Sequence, residues 1–74
     1  MMNRWTADFS NDPDDNYNLV IEILQDEEYV ARIKQTPQGL TIEWYPQKKL
    51  LLVPLDWLSK LLIEAQSSLA EKSY

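Results

Sequence analysis

The chain has no cysteine and no histidine. The first absence excludes disulfides, thiolate nucleophiles and cysteine-ligated zinc. The second removes the commonest general base and the commonest metal ligand. Glycine occurs once, which excludes a glycine-rich phosphate loop. No stretch approaches about 18 consecutive apolar residues, so no membrane-spanning helix is expected. The opening segment, MMNRWTADFS, has no apolar core region and does not read as a secretory signal. No cofactor or metal is expected, and catalysis would have to rest on carboxylates, lysines, tyrosines or serines alone.

What remains is aromatic and acidic. Three tryptophans, four tyrosines and one phenylalanine in 74 residues argue for a packed domain rather than a disordered chain. The length allows one domain. The net charge is −5 and unevenly spread: residues 1–30 hold eight acids and one base, residues 31–74 four acids and six bases. An acidic first half disfavours nucleic acid and anionic lipid and suits a basic partner.

The longest periodic stretch runs from Pro54 to Lys72. Leu55, Leu58, Leu61, Leu62, Ala65 and Leu69 recur at helical spacing and form one apolar stripe. Pro54 suits a helix start, Asp56 the positive end of the dipole and Lys72 the negative end. Trp57 borders the stripe. Ile63 lies opposite it, either as a single exposed apolar residue or as a contact to a second chain.

Residues 1–16 read as an N-terminal arm or loop, disordered unless it folds back through Trp5. Trp5 and Phe9 stand four apart, and Ser10 to Asn16 is a run of turn formers. Asp12, Asp14 and Asn16 have the first spacings of a calcium loop. The sixth position, where glycine is needed, is Tyr17, and the twelfth, where glutamate is needed, is Ile23. Calcium is therefore not expected.

Residues 17–74 read as a single small α+β domain. From Tyr17 to Leu24 the apolar side chains alternate, with Tyr17, Leu19, Ile21 and Ile23 on one face. Asp26, Glu27 and Glu28 make an acidic hairpin tip. The next strand, Tyr29 to Gln35, places Ala31 and Ile33 inward and Val30, Arg32 and Lys34 outward. Thr36-Pro37-Gln38-Gly39 fits a type I turn with a glycine bulge. Leu40 to Tyr45 follows, with Leu40, Ile42 and Trp44 inward. Leu50 to Val53 is either a fourth strand or an extended connector. The predicted fold is an antiparallel β-meander of three or four strands, followed by one amphipathic helix packed on one sheet face.

The outer face of that sheet carries Val20, Leu24, Val30 and Tyr45 among Glu22, Arg32, Lys34 and Glu43. Glu22 and Glu43 form a carboxylate pair in principle, but Arg32 and Lys34 beside them keep both ionised, and an open sheet has no deep pocket. The expected role is a small cytoplasmic, non-catalytic interaction module or regulatory subunit. It would bind another protein or itself, as a homodimer, through Val20, Val30, Arg32 and Tyr45 or through the tip at Asp26, Glu27 and Glu28. There are two alternatives. One is a single-strand nucleic-acid binder using Tyr45, Arg32, Lys34 and Lys48. The other is an inhibitor whose acidic surface occupies a basic groove.

Overall fold

A computed structural model describes residues 4–69. Four strands form one antiparallel sheet: β1 (Trp5–Asp12), β2 (Asn18–Gln25), β3 (Glu28–Thr36) and β4 (Gly39–Trp44). They lie side by side in chain order, a meander. A 3-10 turn at Pro13–Asp15 links β1 to β2, and helix α1 (Leu55–Ser68) follows the sheet. The fold is the α+β two-layer arrangement expected of the sequence.

The fourth strand is not where the sequence places it. Residues 5–12, expected in an arm or loop, form β1 and pair with β2 along their whole length, from Trp5↔Gln25 to Asp12↔Asn18. Residues 50–53 pair with nothing among the described residues and are an extended connector. The reason lies in β1 itself. Trp5, Ala7 and Phe9 recur at spacing two, so they share one face. Trp5 reaches the core at 8% exposure.

The core lies between the sheet and the helix. Trp5, Ile21, Ile23, Ala31 and Ile33 pack there with Leu61, Ala65 and Leu69. Burial of Leu61 and Leu69 contributes about 1.5–3 kcal/mol each. The helix covers less than its stripe suggests. Leu55 and Leu62 remain 75% and 40% exposed. Pro54 stands at the N-cap with extended backbone, and Asp56 sits in the first turn. Lys72 lies outside the described residues.

Three local features correct the simple alternation. Tyr17, expected in the core, is exposed in the turn before β2 with φ of 58°. The β2–β3 register slips between Ile23 and Leu24: Ile23 pairs with Ala31 but Leu24 with Tyr29. Val30 is the extra residue of that bulge, and it joins the core cluster instead of the outer face. Across β3 and β4 the register runs unbroken from Thr36↔Gly39 to Ala31↔Trp44. Gly39 has a φ of +107°, so the turn needs its glycine but forms no bulge.

Candidate interaction surface

The outer face of the sheet, opposite the helix, is organised around Arg32. Cross-strand pairing aligns Asp8, Glu22, Arg32 and Glu43 in one row over the four strands. The Arg32 guanidinium donates to Glu43 at 3.0 Å and to Asp12 at 2.8 Å. Lys34 approaches Glu43 at 4.0 Å. The hydrogen bond that Arg32 donates to Glu43 raises its pKa above the ordinary guanidinium value, partly offset by burial. Asp12 is spent twice: one oxygen accepts from the Asp14 N–H at 3.0 Å, the other from Arg32.

That network explains why Val20 offers no surface. Arg32 lies level with Glu22 and Asp12 level with Asn18, so the bridge between them crosses β2 at Val20. Val20 is 0% exposed and Val30 1%. Both were expected to meet a partner; the first is roofed by the ion pair and the second turned inward by the bulge. Arg32 is half-buried and engaged. Tyr45 is half-buried, with its hydroxyl 3.5 Å from Glu22. Glu22 and Glu43 are held apart by Arg32, the direct cross-strand neighbour of both. An acid–base pair would need those carboxylates to share a site.

The acidic tip is exposed but not free throughout. Asp26 accepts from the Arg4 N–H at 2.9 Å and returns its own N–H to the Arg4 carbonyl at 2.8 Å. Glu27 is exposed, and Glu28 lies 3.9 Å from Lys49. Ile63 is 67% exposed on the outer side of the helix.

Exposed apolar side chains gather elsewhere, at the end of β4 and along the connector. Leu50 and Leu52 are 80% and 66% exposed, while Leu51 and Val53 between and after them pack on the core. This alternation is that of an extended segment lying on the domain without pairing. Between it and β4 lies an open cleft of about 330 Å³, lined by Trp44, Tyr45, Lys49, Leu50, Leu51 and Val53. The sequence marks this surface only weakly, because four apolar residues in a row read as core.

Among the described residues no group of three or more acidic side chains is placed to hold a metal ion. No helix among them is long and apolar enough to cross a membrane. Comparison of the chain with family models, with curated proteins and with solved structures found no match.

Proposed function

We propose that the protein is a small, non-catalytic, cytoplasmic interaction module that binds another protein or itself. The observation that carries this reading is the cleft of about 330 Å³ between β4 and the connector, beside a Leu50 that is 80% exposed. Exposed apolar groups around a concave surface are what protein contacts bury. Lys49 in its lining favours an apolar partner segment flanked by acids. Nucleic acid has less support, since Arg32 is consumed by Asp12 and Glu43 and Tyr45 is half-buried.

The test compares the tagged chain with Leu50→Glu in capture from its own lysate, with and without nuclease. A protein retained by the parent in both samples and lost by the variant supports the reading. Capture that disappears with nuclease, or recovery of no protein by a chain that also fails to self-associate, overturns it.

A further inference from the structure

The outer edge of β4 has no strand beside it among the described residues. Its backbone direction follows from one bond: the Tyr45 N–H donates to the Val30 carbonyl at 2.9 Å, within the register that pairs Ala31 with Trp44. In an antiparallel ladder successive residues turn their backbone groups to alternate sides. Gly39, Thr41 and Glu43 therefore turn theirs toward β3. Leu40, Ile42 and Trp44 turn theirs outward, where they form an open hydrogen-bonding edge.

We infer that a second copy of this chain pairs with that edge, β4 against β4 about a two-fold axis at Ile42, to give a continuous eight-stranded sheet with both helices on one side. This deepens the proposed module by naming self-association as its contact, and it rests on that reading. Centring the pair on Ile42 sets Ile42 opposite itself and Leu40 opposite Trp44 of the copy. All three positions are those with outward backbone groups, so the register forms about six hydrogen bonds. Moving it by one residue pair leaves Trp44 beyond the strand, and moving it the other way sets Leu40 against Pro46, which has no N–H.

Side chains fit the same register. On the helix side, Trp44 is 41% exposed at one end of the edge. At the other end lies a cleft of about 160 Å³ lined by Leu40, Ile42, Leu62, Ala65 and Gln66. The two-fold axis carries the indole of each copy to the cleft of the other and covers Leu62, itself 40% exposed. Such reciprocal fit is what an isologous interface requires, and an unrelated peptide would have to supply it independently. On the outer side, Glu43 comes opposite Thr41 of the copy, whose β3 neighbour is Lys34. No like charges stand directly opposite, and the nearest charge beyond Thr41 of the copy is a lysine, opposite in sign to Glu43.

The experiment measures native mass from about 1 to 100 µM, a range that brackets a micromolar dimer. Twice the 8.7 kDa chain is expected at the upper end. Ile42→Pro deletes an N–H that points away from β3, and should weaken the dimer by at least about tenfold while circular dichroism reports an intact sheet. Because that variant can fail to fold, two cysteine variants test the register in a chain that has none. Ile42→Cys stands about 5.5 Å from its symmetry mate and should oxidise to a disulfide dimer, whereas Thr41→Cys, about 7–8 Å from its own, should not. A monomer throughout the range overturns the inference. So does a dimer in which Thr41→Cys crosslinks as readily as Ile42→Cys. A monomer that still captures a protein through Leu50 leaves the module standing without the dimer.

Discussion

Trp5 of β1 stands against Trp57 of α1, with ring centroids 5.8 Å apart and planes tilted by 48°. The pair joins the first strand to the first turns of the helix, two elements at opposite ends of the sequence. Trp5 is buried and Trp57 half-buried. Trp5→Ala should therefore cost about 3–5 kcal/mol, which is most of the stability of a domain this small. Trp57→Ala should cost clearly less. Urea denaturation followed by circular dichroism checks both. Equal losses would show that the ring contact, rather than burial of Trp5, dominates.

Beside Trp5, directly across β1–β2, lies Gln25. The indole Nε1 of Trp5 and the Oε1 of Gln25 are both buried without a hydrogen-bond partner among the described residues. A buried acceptor left unpaired costs about 1–3 kcal/mol. Gln25→Met keeps the length of the side chain and deletes the acceptor. It should raise stability by about 1 kcal/mol, read as a higher urea midpoint at unchanged slope. A lower midpoint would mean that the amide makes a bond worth more than its burial costs.

Arg32 ties β1, β3 and β4 together through Asp12 and Glu43. Asp12 is 8% exposed, so removing its cation strands a nearly buried carboxylate. Glu43 is much more exposed and contributes little. Arg32→Met should destabilise by about 2 kcal/mol, and combining it with Asp12→Asn should recover part of that loss. A double-mutant cycle checks this. Simple additivity of the two substitutions would show that the bridge does no more than cover Val20.

Strands β2, β3 and β4 were legible because each is rich in β-branched and aromatic residues that recur at spacing two. The helix was legible for the same reason at its own period. β1 carries the signal too, in Trp5, Ala7 and Phe9, but Asp8, Asn11 and Asp12 surround it with turn formers. The burial of Asp12 depends on Arg32, twenty positions away. No local pattern encodes such a pair. The bulge at Val30 has no glycine to announce it, so alternation alone assigns Val30 to the wrong side. Those two features, one long-range and one unmarked, are why Val20 and Val30, read as exposed on the outer face, are buried.

Burial and the charge of Glu22 raise the Tyr45 hydroxyl above its ordinary 10.0, against an opposing pull from Arg32. The folded state thus holds this proton more tightly than the unfolded state does. Its contribution to stability is complete below about pH 10 and is lost as pH rises through the folded value. Tyr45→Phe removes the titration, so the variant should lose less stability than the parent between about pH 9 and 11. Urea midpoints across that range check the difference. Parallel decline in both proteins would assign the alkaline loss to other groups.

The β2–β3 turn places Asp26 and Glu27 at φ of 52° and 71°, both left-handed. Two-residue turns of this shape favour glycine at the second position, because a side chain there costs about 1 kcal/mol. Asp26 has a compensation, its two bonds to Arg4. Glu27 has none among the described residues and is exposed. Glu27→Gly should then stabilise by up to about 1 kcal/mol, less the entropy glycine adds to the unfolded chain. Asp26→Ala should do the opposite, because it keeps the strain and loses the carboxylate bond to the Arg4 N–H. Thermal unfolding of both variants, done at one ionic strength, checks the pair. If Glu27→Gly proves destabilising, the strained glutamate is held by an interaction of its own that offsets its backbone cost.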